Sequence, residues 1–176
     1  KGAVSLIDGS AATGKLAINL ANVTYDGDTA GFTLKGGTAA DTITTNASSA
    51  TLTGGGGNDK YVVTATVGGT ADATTAAMTT ITDFNAGDMI AAGTLTALTK
   101  TQTDIAAATN LTQAIDLALK NASVTANTAA WFNYGGNTYV VVEDASDGFG
   151  ATTQNELIVK LTGTLDLTNA TVASNT

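Results

Sequence analysis

The chain has 176 residues and a formal charge of −8, with 15 acidic residues against 7 basic residues that are all lysine. This balance argues against nucleic acid as a partner, because a basic surface would be needed to hold it. The absence of cysteine excludes disulfides and thiolate metal sites, and the absence of histidine removes the usual general base and the usual zinc ligand.

The first third of the chain carries a nine-residue period of large apolar residues. The period consists of Ile7, Leu16, Tyr25, Leu34, Ile43, Leu52 and Tyr61. Apolar and polar residues alternate around these positions, which indicates short strands. One strand and one turn per nine residues predicts a parallel β-roll over residues 1–64, in which stacked 18-residue coils bury the apolar period.

Two glycine-rich turns lie within this period. Residues 54–62, GGGGNDKYV, match the pattern G-G-x-G-x-D-x-U-x, where U is large and apolar, and residues 36–44, GGTAADTIT, depart from it only at Ala39. Glycines let a turn curl its carbonyl oxygens towards one point, and a carboxylate completes the irregular oxygen shell that calcium accepts. Because Asp41 and Asp59 are 18 residues apart, we expect both turns on one edge of the roll.

These motifs resemble those of the repeats-in-toxin (RTX) family, proteins exported by type I secretion. The resemblance implies a calcium-stabilised parallel β-roll and continues at residues 81–90, ITDFNAGDMI, which are similar to the segment that follows RTX rolls. Asp83 and Asp88 in that segment either add carboxylates for an ion or belong to a turn closed without metal. A flexible linker and a phosphate loop are the alternative interpretations of residues 54–57. The expected calcium ligands are Gly36, Thr38, Asp41, Gly54, Gly56, Asp59, Asp83 and Asp88.

Residues 65–176 are expected to form a C-terminal capping and type I secretion region. Apolar residues at helical spacing predict a helix over about residues 104–121, with Asn110 placed to cap it. Residues 129–143 predict a β-hairpin, followed by a strand at 157–161. The predicted fold class is therefore all-β dominated: a parallel β-roll followed by a β-rich C-terminal cap with one helix.

Two features of this region allow a functional alternative. The hairpin concentrates the aromatic residues, which predicts core packing, although aromatic pairs on a hairpin face can also bind sugars. Acidic residues follow the hairpin and recur near the next strand, where a solvated turn is favoured over a carboxylate pair for glycoside hydrolysis. They are Glu143, Asp144, Asp147 and Glu156.

The segment WFNYGGNTYVVVED, residues 131–144, followed by LIVKLTGTLDL, residues 157–167, resembles the ends of type I-secreted proteins, particularly S-layer proteins of Gram-negative bacteria. The resemblance implies an uncleaved export signal within about residues 120–176 and a structural, non-enzymatic protein at the bacterial cell surface. Calcium-dependent self-association into a surface lattice and contact with the type I secretion apparatus are the partners that it implies. The alternative is the non-catalytic RTX tail of a type I-secreted protease, lipase or adhesin. The sequence predicts no transmembrane segment, because no apolar run is long enough to span a bilayer.

Overall fold

The structure is a computed structural model that describes nine stretches of the chain. They are residues 5–21, 32–45, 49–64, 67–68, 78–93, 95–99, 101–122, 128–142 and 155–174. Tyr25 of the nine-residue period and the acidic residues Glu143, Asp144 and Asp147 lie outside these stretches.

Short strands dominate the described residues, which contain fourteen strands and one helix. The strands of the first half are β1 (Leu6–Asp8), β2 (Ala17–Leu20), β3 (Thr33–Lys35), β4 (Thr42–Thr45), β5 (Thr51–Thr53), β6 (Lys60–Val63), β7 (Val67–Gly68), β8 (Thr79–Ile81) and β9 (Met89–Ala92). The later elements are β10 (Ala97–Leu98), α1 (Leu111–Asn121), β11 (Thr128–Tyr134), β12 (Asn137–Val142), β13 (Asn155–Thr162) and β14 (Thr171–Ala173). The described part of the chain is therefore strand-rich, as predicted.

The strands form two sheets between which the chain alternates. One sheet has the order β1-β3-β5-β8-β13-β12-β11-β10, with β7 paired to β13, and the other has the order β14-β9-β6-β4-β2. The pairs that join β1 to β8 in the first sheet and β2 to β9 in the second are all parallel. Five strand–turn–strand units follow from this pattern. Unit 1 is β1 and β2, unit 2 is β3 and β4, unit 3 is β5 and β6, unit 4 is β8 and β9, and unit 5 is β13 and β14.

Each sheet carries an apolar column that faces the core. In the first sheet Leu34, Leu52 and Ile81 are aligned, and in the second Ile43 is aligned with Tyr61 and Ile90. All six side chains are essentially inaccessible to solvent. Threonines occupy many of the alternate, outward-facing positions of these strands, where a β-branched residue suits the pleated surface.

Unit 1 departs from the predicted nine-residue register. Ile7 pairs with Leu34, 27 residues later in the sequence, instead of with a residue one 18-residue coil away. Ile18, and not Leu16, pairs with Ile43. Leu16 instead lies beside Asp41, to whose carboxylate it donates its N–H. The nine-residue period upstream of Leu34 is therefore wrong as a guide to register, because the connections around unit 1 are longer than those of the next two units.

The helix and hairpin cover one face of the first sheet. Helix α1 begins at Leu111 instead of residue 104, because the Asn110 side chain accepts a hydrogen bond from the Gln113 N–H at 2.9 Å and caps the first turn there. Its apolar side packs against β11 and β12. Those two strands are the predicted hairpin, and the left-handed conformation of Gly135 and Gly136 closes its turn.

The hairpin aromatics belong to the core. Trp131, Phe132 and Tyr139 are buried, and the rings of the last two stack with their centroids 5.4 Å apart. The indole N–H of Trp131 donates to the carbonyl oxygen of Thr99 at 3.0 Å. Core packing is thus the observed arrangement, and these three rings offer no open face to a sugar.

One hydrophobic cluster crosses the predicted domain boundary after residue 64. It contains Leu34 and Leu52 from the first units together with Trp131, Val159 and Leu161 from the C-terminal region. Strand β13 makes this connection, since it pairs with β8 on one side and with β12 on the other. Among the described residues, no helix has the length and apolar character needed to cross a membrane.

Candidate metal site

The turns within units 2, 3 and 4 place three aspartates in a buried column on one edge of the two sheets. Asp41, Asp59 and Asp88 each precede an inward-facing column residue by two positions, and each is only 1% exposed. The N–H of Asp41 donates to Oδ1 of Asp59 at 2.8 Å, and the N–H of Asp59 donates to Oδ1 of Asp88 at 2.8 Å. Each carboxylate therefore ties its own unit to the preceding one.

The second carboxylate oxygens of the column differ in their partners. Oδ2 of Asp41 accepts the Gly37 N–H at 2.6 Å, and Oδ2 of Asp88 accepts the Asn85 N–H at 2.9 Å. Oδ2 of Asp59 is buried and has no hydrogen-bond partner. A buried carboxylate oxygen without a partner is costly, so it marks a place where a cation fits.

Asp83, in the same turn as Asp88, has all its partners within the protein. Its Oδ1 accepts the Gly54 N–H at 3.0 Å and the Tyr61 hydroxyl at 3.0 Å, and its Oδ2 accepts the Gly55 N–H at 2.8 Å. Three donors therefore surround this carboxylate. It closes the turn of unit 3 from the neighbouring unit.

Glycines leave space around the oxygens of the column. A side chain at Gly36 would overlap the Gly54 carbonyl oxygen and Oδ2 of Asp41, and one at Gly54 would overlap Oδ2 of Asp59 and the Tyr61 hydroxyl. Gly55 has φ of 94°, a conformation that favours glycine. The glycine pattern thus lets oxygen atoms from neighbouring units approach the same points, as the sequence motif predicts.

The electrostatics of the column favour a positive partner. Loss of hydration on burial raises the pKa of Asp59, and the charges of Asp88, Asp41 and Asp83 raise it further, while the hydrogen bond from the Asp41 N–H acts in the opposite direction. The two ion pairs found among the described residues, Lys35 with Asp8 and Lys120 with Asp116, do not involve the column.

Tyr61 adds a proton donor to this acidic environment. Burial raises the pKa of its hydroxyl, and the nearby carboxylates, led by Asp83, raise it further. The hydroxyl therefore stays protonated at neutral pH and continues to donate to Asp83.

The structure brings all eight predicted ligand residues to this one edge, in the turns of units 2, 3 and 4. Within the described part of the chain, however, no three acidic side chains converge closely enough to form a ready-made metal cage. A cation here would need to complete its shell with backbone carbonyls and water around Asp59. Oxygen-only donors of this kind fit calcium, which accepts irregular shells and would supply positive charge to the column without chemistry of its own.

The place of Asp88 in the column could have been found from the sequence. Ile81 and Ile90 are nine residues apart, as are Leu52 and Tyr61, and an aspartate stands two residues before the second member of each pair. The nine-residue period hides this repeat, because Leu52 and Ile81 are 29 residues apart. The column stops after unit 4, since the register of β14 with β9 places Ala170 opposite Asp88.

No protein-family model matches the chain, and a search of curated proteins finds none with significant similarity to it.

Proposed function

We propose that units 1 to 4 form a calcium-stabilised parallel β-roll, in which an ion binds beside Asp59 between the glycine-rich turns. The observation that carries this proposal is the buried, unpartnered Oδ2 of Asp59 within a column of like charges. An uncompensated buried carboxylate destabilises a fold strongly, whereas a bound cation turns the same group into a stabilising ligand.

The donor set supports calcium over other metals. The chain has no histidine or cysteine, the residues that zinc prefers, and the oxygens near Asp59 come from irregular turns. Magnesium demands a near-octahedral shell and dehydrates reluctantly, so it suits such turns less well. Extracellular calcium modules bind at about 0.1–1 mM, which fits a protein that folds after export.

We further propose that the chain is the C-terminal part of a structural S-layer protein. It would be exported by a type I apparatus, would self-associate at the bacterial cell surface when calcium binds, and would have no enzymatic activity. Support comes from the resemblance of residues 131–144 and 157–167 to the ends of exported surface proteins, and from the lack of histidine, cysteine and arginine. The non-catalytic tail of an exported protease, lipase or adhesin is the competing assignment.

The calcium proposal is tested by thermal unfolding followed by circular dichroism, in a chelator and in millimolar calcium. Calcium at about 100 times its Kd should add about 2.7 kcal/mol to the unfolding free energy. Asp59→Ala should abolish this gain. Asp116→Ala is the matched control, because Asp116 lies on α1 and pairs only with exposed Lys120, so its calcium response should be unchanged. Identical melts with and without calcium in the parent protein would refute the proposal.

Export and assembly need separate tests. Residues 120–176 fused to an inert reporter should leave a host that carries a matching type I exporter, and the purified chain should sediment as larger species once calcium is added. A reporter that stays inside the cell, together with a chain that is monomeric at every calcium concentration, would favour the tail of an exported enzyme.

A further inference from the structure

Asp83 takes a hydrogen-bond donor that Asp59 would otherwise use. In unit 2, Asp41 accepts the N–H of Gly37, four residues before it in the same turn. The equivalent donor in unit 3 is the N–H of Gly55, four residues before Asp59. That N–H donates to Oδ2 of Asp83 instead, and Oδ2 of Asp59 is the oxygen left without a partner.

Units 2 and 3 differ in what the next unit presents to their turns. Leu52 of unit 3 is aligned with Ile81 of unit 4, so Gly54 and Asp83 occupy equivalent positions two residues later. Gly54 has no side chain to offer unit 2, and Asp41 keeps the donor of its own turn. Asp83 offers a carboxylate to unit 3, and Asp59 loses its donor. The two turns therefore serve as an internal comparison of the effect of this one side chain.

We propose that Asp83 is a positioning residue for the calcium site: by holding the N–H groups of Gly54 and Gly55, it leaves Oδ2 of Asp59 free to bind the ion. Asp83 itself is then not a ligand, since its two oxygens already accept three hydrogen bonds. This inference depends on the proposed calcium site and assigns different roles to two aspartates within it.

The two roles predict different behaviour when Asp83 is replaced. Without its carboxylate, Asp59 can turn to the Gly55 N–H as Asp41 does to Gly37, and an ion must then displace that hydrogen bond. Binding weakens, by about 10-fold or more for a partner that supports a ligand, but the shell of the bound ion is unchanged. Loss of a true ligand would instead let additional water enter the shell.

Terbium, an oxygen-seeking ion used in place of calcium, distinguishes these outcomes in the full chain. Titration gives its affinity, and luminescence lifetimes in H₂O and D₂O, with direct excitation of the ion, give the number of bound waters at saturation. We expect Asp83→Ala to lower the affinity about 10-fold without adding bound water. Asp83→Asn keeps an acceptor oxygen for Gly55, so it should restore part of the affinity. Asp59→Asn should either abolish binding or increase the bound water.

Each result has one reading. A rise in bound water in Asp83→Ala, or equal losses of affinity in the Ala and Asn variants, would identify Asp83 as a ligand and overturn the inference while the calcium site stands. Absence of terbium and calcium binding in the parent protein would overturn the proposed site and the inference with it. If Asp83→Ala does not fold, Tyr61→Phe removes one donor to Asp83 and should lower affinity with the bound water unchanged.

Discussion

Leu52→Ala tests whether the apolar columns form the core that supports the acidic edge. Leu52 is fully buried between Leu34 and Ile81 in the first sheet, and its neighbours are strands that cannot collapse easily into a vacated space. Removal of its side chain beyond Cβ should lower the unfolding free energy by about 2–4 kcal/mol, from lost burial plus the remaining cavity.

The matched control is Leu6→Ala, the same substitution in unit 1, where the leucine is 50% exposed. Its cost should lie within about 0.5 kcal/mol of zero. Both variants are measured by urea unfolding in saturating calcium, with an unchanged dependence on urea concentration to show that the folded and unfolded states remain comparable. Equal losses in the two variants, or a neutral Leu52→Ala, would refute the assignment of these residues to core and surface.

Two further predictions concern the acidic edge. Gly54→Ala should destabilise the protein by about 1–3 kcal/mol and abolish the calcium response, because the new Cβ overlaps Oδ2 of Asp59, whereas Gly14→Ala, with open space around it, should do neither; calorimetric titration with calcium checks both. In chelator, stability should also depend on pH through Asp59, whose pKa is raised from 3.8, so that its contribution is complete below about pH 3.8 and is lost as the pH rises through the higher folded-state value. The melting temperature of the parent should therefore fall relative to Asp59→Asn as the pH increases towards neutral, and a gap that narrows instead would contradict the burial of an uncompensated charge.

The local repeat was the part of the fold that the sequence predicted well. The spacing of Asp41 and Asp59 is that of two successive units, and the hydrogen bond between them follows from it. Residues within a unit are joined by a short turn, so their separation in sequence is fixed by geometry. Leu34 and Ile43, or Leu52 and Tyr61, therefore keep the nine-residue distance.

The connections between units were not predictable in the same way. A chain that returns from one sheet to the other can do so by a short or a long path without changing the register of the strands. The steps from Ile7 to Leu34 and from Leu52 to Ile81 are both longer than one 18-residue coil, and a search for a constant period misplaces unit 1 and overlooks unit 4. The partners of Asp83 were also hidden, because they depend on contacts between residues 28 and 29 positions apart.

The central position of β13 sets an order of events for a protein that carries an export signal near its C-terminus. Leu157, Ile158, Val159 and Leu161 are buried once this strand lies between β8 and β12. An exporter that reads residues 120–176 can reach those side chains only in a chain that has not yet folded. Recognition and folding therefore compete for the same segment, and any change that speeds folding inside the cell should reduce the amount of protein that leaves it.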